Sequence, residues 1–393
     1  MVRAMPSFPG VDYLELDALL TSEERMIRDT FRRFVDEEIL PTIGGHFRRG
    51  EFPSHLPRRL GEMGALGASI DGYGCPGLGP IAYGLLLAEL ERGDSGVRSF
   101  ASVQGSLVMY PIFTYGSEEQ KQHWLPKLRT GEAIGCFGLT EPDFGSNPGG
   151  MRTTAKRHKD GWILSGAKRW ITSGSIADVA VVWARAEEGI VGFLVERGTP
   201  GFSAHDIPGK FSMRASVTSE LVLEDCVVPA SAQLPLAKGL RAPLSCLDQA
   251  RFGILWGVLG AAAACYEEAL RYSKDRAQFG KPIAGHQLVQ EKLVDILGEI
   301  TASQLYAYRL GQLKAEGKAR AAQISLGKRN CVRTALRAAR MARELLGGNG
   351  ITDEYQCGRH LCNLETVYTY EGTDHIHTLI VGQDITGLNA FTN

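Results

Sequence analysis

The chain has 393 residues, 44% of them hydrophobic and 22% charged, with a formal net charge of −1. That balance is the one of a soluble globular protein with two or three domains, and it excludes a dedicated nucleic-acid binder. The longest apolar run, Ile254 to Tyr266, is broken by Gly257 and Gly260 and is too short for a membrane span.

In chain order, residues 21–40 read as a helix. Thr21 or Ser22 can cap it, Glu23 and Glu24 suit its first turn, and Ile27, Phe31, Phe34 and Val35 form one apolar face that Pro41 is expected to stop. Helical pattern continues through 55–66, 81–92, 101–115 and 117–129. From about residue 136 the texture changes to short β-rich runs: Trp162 to Leu164, Val179 to Trp183, Ile190 to Val195 and Glu220 to Glu224. After Pro243 helices return. The stretch Phe252 to Tyr272 is apolar on nearly every side and should be deeply buried. Leu288, Val289, Leu293, Ile296, Leu297 and Ile300 mark a second helix, with two more over 320–346 and 375–390. The expected fold is therefore α+β: an N-terminal helical domain (1–135), a middle β domain (136–242) and a C-terminal four-helix bundle (243–393).

Eight cysteines are scattered with no Cys-x-x-Cys spacing, which reads as buried reduced thiols in a reducing compartment. The start, from Met1 to Pro9, has no apolar h-region and no Arg/Ser-rich amphipathic stretch, so no signal or transit peptide is expected. A cytoplasmic location is expected for a bacterial chain, and the mitochondrial matrix for a processed eukaryotic one.

Gly72-Tyr73-Gly74-Cys75-Pro76-Gly77 matches G-x-G-x-x-G, but helical pattern precedes it and Pro76 lies inside it, so it reads as a loop and not a dinucleotide fingerprint. In Gly135-Cys136-Phe137-Gly138-Leu139-Thr140-Glu141-Pro142-Asp143-Phe144-Gly145-Ser146, a strand-like start enters a turn. Its hydroxyls and free N–H groups suit a flavin edge and a pyrophosphate; read locally it is a plain turn. Lys168-Arg169-Trp170-Ile171-Thr172-Ser173 is a half-buried strand, or a place where Trp170 packs on a ring system. Arg276, in Asp275-Arg276-Ala277-Gln278-Phe279-Gly280, can bind a phosphate or end a helix in solvent. Leu345-Leu346-Gly347-Gly348-Asn349-Gly350 permits close approach of a ligand. Thr369-Tyr370-Glu371-Gly372-Thr373 places a carboxylate beside a glycine, where it can act as a general base. His375 and His377 are two apart on a helix and point away from each other, so no metal site is expected.

Together, in this order, these blocks resemble the acyl-CoA dehydrogenase family over nearly the whole chain. Three segments resemble the branch of that family acting on glutaryl-CoA: Arg92 to Gln104, Arg251 to Gly257 and Asn363 to Thr373. The resemblance implies FAD as cofactor, an acyl-CoA substrate, an electron-transfer flavoprotein as partner and a homotetramer. It implies Glu371 as the base, with Phe137, Leu139, Thr140, Gly145, Ser146, Trp170, Ile171 and Thr172 beside the flavin. Arg276, Phe279, Gln287, Glu344, Leu345, Gly347, Gly348, Thr373 and Phe391 would hold the rest of the FAD. For the substrate it implies Glu91, Arg98, Ser99, Ser102, Ser146, Leu244, Asp248, Arg251, Tyr370 and Gly372. Arg98 is the discriminating residue, because beneath a greasy tail it would be a buried charge without a partner, whereas a dicarboxylate tail supplies one. Glu91, seven residues before it, can complete the network. In the resembling enzymes the oxidised product then loses its distal carboxylate to give crotonyl-CoA. The alternatives are a short-chain monocarboxylic enzyme, a non-decarboxylating glutaryl-CoA enzyme and a catalytically idle helical scaffold. The chain departs from the family pattern at Asn147, Ser173, Asp374-His375 and Gln383-Asp384, which bears on the fine FAD contacts.

Overall fold

The computed structural model describes residues 10–391; the reading of the chain start as leaderless lies outside them. Seven helices come first: α1 (Ser22–Phe34), α2 (Leu40–Arg49), α3 (Leu56–Glu62), α4 (Pro80–Gly93), α5 (Ser95–Ser102), α6 (Tyr110–Tyr115) and α7 (Glu118–Arg129). Thr21 caps α1 reciprocally with Glu24. Pro41 does not end the first helix, contrary to expectation. A wide π turn over Val35–Ile39 joins α1 to α2, and Pro41 sits in the first turn of α2, where a missing N–H costs nothing. A second π turn, Val103–Met109, joins α5 to α6.

Between α3 and α4, β1 (Asp71–Gly72) and β2 (Cys75–Pro76) make a small hairpin out of the G-x-G-x-x-G match. The middle domain holds β3 (Gly135–Gly138), β4 (Thr154–His158), β5 (Gly161–Thr172), β6 (Val179–Ala186), β7 (Gly189–Glu196), β8 (Phe202–Asp206) and β9 (Thr218–Pro229). They form one seven-stranded sheet in the order β3-β6-β4-β5-β9-β8, with β7 also on β6. Alternation along β6 sends Val179, Val181 and Trp183 to one apolar cluster and Ala180, Val182 and Ala184 to another, so both faces are buried. The register of β5 against β9 slips between Lys168 and Ile171, a bulge that leaves Arg169 and Trp170 out of the ladder.

The C-terminal part holds α8 (Arg241–Asp275), a hairpin of β10 (Ala277–Gln278) and β11 (Lys281–Pro282), α9 (Gln287–Ala315), α10 (Ala321–Leu345), α11 (Cys357–Thr369) and α12 (Asp374–Thr386). The sequence pattern did not place α11, whose apolar stripe is short. α8 is buried along most of its length, as its composition demanded. Its glycines serve close packing: a Cβ on Gly260 would lie 1.8 Å from the carbonyl of Ala88 on α4. Among the described residues no helix is long and apolar enough to cross a membrane.

Candidate active site

α11 ends at Thr369, and the chain turns sharply before α12. Glu371 (φ 51°) and Gly372 (φ 94°) both take left-handed backbone. For a glutamate this is unusual, and such strain concentrates at functional sites. At Gly372 a Cβ would lie 2.8 Å from Nε2 of buried His377, so the turn requires glycine. Thr373 then caps α12 by accepting from the Ile376 N–H at 3.2 Å.

The turn is held from below by cations. Lys328 Nζ donates to the carbonyls of Tyr370 (2.5 Å) and Gly372 (2.6 Å), and Arg251 Nε donates to the carbonyl of Glu371 at 2.9 Å. Oε2 of Glu371 is buried and has no hydrogen-bond partner. Burial raises its carboxyl above the usual range, against the pull of Arg98, Lys328 and Arg251. Burial likewise pushes Lys328 down to about 7, with the charge of Glu371 opposing.

Beside the turn, Arg98 on α5 and Glu91 on α4 are both fully buried and paired, Nε to Oε2 at 2.5 Å. Arg98 also donates through Nη2 to the Tyr370 hydroxyl. Burial alone would lower the Arg98 pKa, but the charge of Glu91, with Tyr370, holds it above its ordinary value. This corrects one step of the sequence argument. Glu91 already partners Arg98, so burial of the charge does not by itself demand a substrate carboxylate. What remains unsatisfied is Arg98 Nη1, buried without a partner, as is Ser102 Oγ one turn further along α5. Ser99 is buried too. Two donors are thus left open inside the protein, next to a buried carboxylate oxygen without a partner, an arrangement able to take an anionic group.

Glycine makes this arrangement possible: a Cβ on Gly257 of α8 would stand 2.3 Å from Glu91 Oε2 and 3.0 Å from Arg98 Nε. Gly257→Ala is therefore expected to cost about 1–3 kcal/mol by overpacking, read from urea unfolding. An unchanged midpoint would mean that the buried pair yields without strain. Asp94 ties the two halves of the site together. It caps α5 by accepting from the Gly96 N–H (2.7 Å), and it also accepts from Arg359 (2.6 Å) and Asn363 (3.0 Å) of α11.

Several residues here escaped the sequence reading. Tyr83 of α4 bonds Ser106 at 3.2 Å, and its hydroxyl lies, like Ser102 Oγ, 3.6 Å from where a Cβ of Gly253 would stand. Lys328 did carry a signal: it occupies the buried stripe of α10 with Ile324, Cys331 and Ala335, where a lysine is out of place.

Asp248 pairs with Arg251 at 3.1 Å near the start of α8. A cleft of about 250 Å³ opens beside it, lined by Ser245, Asp248, Gln249 and Lys314. Leu244 is half-buried on the preceding turn.

On the β domain, Trp170 has left-handed backbone (φ 64°) and an indole 56% exposed. The bulge in β5 thus presents a large aromatic face that no core requires, the mark of a ligand platform. Thr140 and Thr172 are half-buried around it, and Gly145 and Ser146 are exposed. Phe137, Leu139 and Ile171 differ from the expectation: their side chains are core, so only their backbone can meet a ligand. Glu141 anchors the loop, accepting from the N–H groups of Arg152 (2.6 Å) and Thr153 (2.9 Å) and from Lys168 Nζ (2.8 Å).

The remaining expected residues are elsewhere. Arg276 caps the far end of α8, and at 1.5 Å per residue it is about 37 Å along the helix from Arg251. Phe279, 94% exposed at the tip of the β10–β11 hairpin, Gln287 and Gly347–Gly348 are also on the surface. Glu344 pairs with Lys292 at 2.8 Å on the surface, and Leu345 is buried. Phe391 is half-exposed beyond α12. Of the departures from the family pattern, Asp374 pairs with Arg333 (2.6 Å) and Asp384 with Arg320 (2.7 Å), both structural contacts. Among the described residues no group of His, Cys, Asp and Glu side chains is placed to hold a metal ion.

Family models for the acyl-CoA dehydrogenase N-terminal, middle and C-terminal domains match residues 21–132, 136–226 and 237–386. The chain is 33% identical over 369 residues to the mitochondrial short-chain specific acyl-CoA dehydrogenase of Rattus norvegicus, covering 92% of this chain and 90% of that protein. It superposes on a glutaryl-CoA dehydrogenase from Mycobacterium smegmatis with a TM-score of 0.97 and 55% identity, covering 98% of this chain and 100% of the other. A second structure of a glutaryl-CoA dehydrogenase from Mycobacterium smegmatis, in complex with FADH2, gives a TM-score of 0.96 at 54% identity, covering 97% and 99%.

Proposed function

This chain belongs to the acyl-CoA dehydrogenase family, and on that premise we propose that it oxidises glutaryl-CoA and decarboxylates the product to crotonyl-CoA. It is an FAD-dependent oxidoreductase. The observation that carries the choice of substrate is the open, buried Nη1 of Arg98 beside the unpartnered carboxylate of Glu371.

The residues present fit a flavin. Trp170 offers an exposed aromatic face on strained backbone, with Thr140, Thr172 and the backbone of 137–140 around it. FAD when bound accepts the β-hydrogen of the substrate as hydride. The chain's own residues do the rest. Arg98 Nη1 and Ser102 take the distal carboxylate, which fixes the tail and sets the α-carbon against Glu371. Glu371 removes the α-proton: a C–H bond breaks, an O–H bond forms on the carboxyl, and the electron pair stays with the thioester enolate. The Glu371 N–H donates to the thioester oxygen as charge develops there. When carbon dioxide leaves, the proton held on Glu371 is available to the carbanion that remains. Asp248 and Arg251, beside the cleft at the start of α8, receive the CoA portion.

Arg276 lies far along α8 from the turn of Glu371, and Phe279, Gln287, Gly347 and Gly348 are exposed on the surface. We therefore assign them to the cofactor tail of a neighbouring copy in a homotetramer, with Thr373 and Phe391 at the contact. The electrons pass on to an electron-transfer flavoprotein.

The test mixes purified protein with glutaryl-CoA and a dye acceptor and identifies the product by mass. Crotonyl-CoA with carbon dioxide is expected, from a protein that purifies with FAD. Glutaconyl-CoA alone would make the enzyme non-decarboxylating, and turnover of butyryl-CoA in preference to glutaryl-CoA would return it to the short-chain class.

A further inference from the structure

We propose that Lys328 is a positioning residue for Glu371, gripping the peptide carbonyls on either side of it and supplying the positive charge that keeps its carboxylate ionised. The inference rests on the reading of Glu371 as the base.

Lys328 is 1% exposed, and among the described residues its Nζ makes no ion pair with a carboxylate. A buried ammonium without an ion-pair partner is an expensive way to fill a helix interface; methionine would fill the same space without the desolvation penalty. What the ammonium does instead is bond the carbonyls of Tyr370 and Gly372, while Arg251 bonds the one between them. Three consecutive carbonyls are thus held by two buried cations, across two left-handed residues that would otherwise relax. The consequence reaches the substrate. In a trans peptide C=O and N–H point in opposite directions. Fixing the Tyr370 carbonyl on Lys328 therefore fixes the direction of the Glu371 N–H, which faces the thioester oxygen in the proposed reaction. One side chain sets the base and the adjacent donor at once.

The charge matters as well as the grip. Around Glu371 stand Arg98 from α5, Arg251 from α8, Tyr83 from α4, the adjoining Tyr370 and His377 from α12, with Glu91 paired to Arg98 and Asp374 acting on Lys328. Arg98 is shared with Glu91, and Arg251 with Asp248, so their charges are partly spent. Lys328 has no such competitor within ion-pair distance. The charge of Lys328 draws the Glu371 carboxyl toward its ionised form, and the charge of Glu371 does the same for the ammonium.

The test uses the FAD-loaded enzyme and 3-thiaglutaryl-CoA, whose sulfur in place of the β-carbon leaves no hydride to transfer. Exchange of its α-hydrogens with deuterated water then reports the base alone, and calorimetry reports binding. In Lys328→Met, exchange at neutral pH is expected to fall by about 10²-fold while binding holds, as for a small misplacement of a catalytic group. The acid limb of the exchange profile should move up by about one pH unit, because removing a nearby cation disfavours the carboxylate. Lys328→Gln keeps a donor without the charge. It should recover part of the rate and none of the shift, and it decides the matter if the methionine variant does not fold. Wild-type exchange with an unmoved limb, or a loss of rate and binding together with an unmoved limb, would overturn the proposal. Glu371→Gln is the control: exchange that survives it sinks the base assignment itself, a failure distinct from that of Lys328.

Discussion

Glu371→Gln is expected to leave FAD and acyl-CoA binding in place while reduction of the flavin by substrate falls by about 10²–10⁴-fold or more. The amide has the shape of the carboxyl, and Oε2 has no protein partner to lose, so the turn between α11 and α12 should persist. What is lost is the ability to take a proton. Bleaching of the flavin absorbance under anaerobic mixing measures it, and reduction at a near wild-type rate would place the base elsewhere. The pH dependence follows from the same burial. A base must be deprotonated, and burial lifts the Glu371 carboxyl above its ordinary value. The rate should therefore be lost, as pH falls, at a higher pH than a solvated glutamate would give.

Arg98→Met is expected to divide substrates. A charged contact removed from a desolvated site costs about 2–5 kcal/mol, roughly thirtyfold to several thousandfold in kcat/KM for glutaryl-CoA. A four- or five-carbon monocarboxylic acyl-CoA makes no such contact, and its turnover should hold or improve. The single variant also strands Glu91, a buried carboxylate whose ion-pair partner is Arg98. Breaking one side of a buried pair is destabilising in its own right. Glu91→Gln combined with Arg98→Met removes that complication, since a neutral amide tolerates burial better than an unpaired charge. The ratio of the two substrates in each variant cancels what folding damage remains. Equal loss on both would place Arg98 outside the substrate pocket.

The sequence by itself determined the order helical, β, helical, because that order is written in local periodicity. The apolar stripe of α1, the β-rich run Val179 to Trp183 and the all-round apolarity of α8 each report burial by residues a few positions away. It also determined which carboxylate and which arginine to watch. Glu371 stands beside a glycine that its turn requires, and Arg98 lies in the segment from Arg92 to Gln104 that carries the family resemblance.

Only the tertiary structure decided what partners them. Glu91 meets Arg98, Lys328 reaches the turn from α10, and Asp94 joins α5 to α11 across 265 residues of chain. Such contacts depend on how helices cross, and a glycine such as Gly257 declares its purpose only once α4 lies against α8. The expected cofactor residues are spread in the same way: a helix of 35 residues carries Arg276 far from the turn that holds Glu371. Local pattern names the groups able to do chemistry; which of them share one site is set by the lengths and crossings of rigid elements, which no short window of sequence encodes.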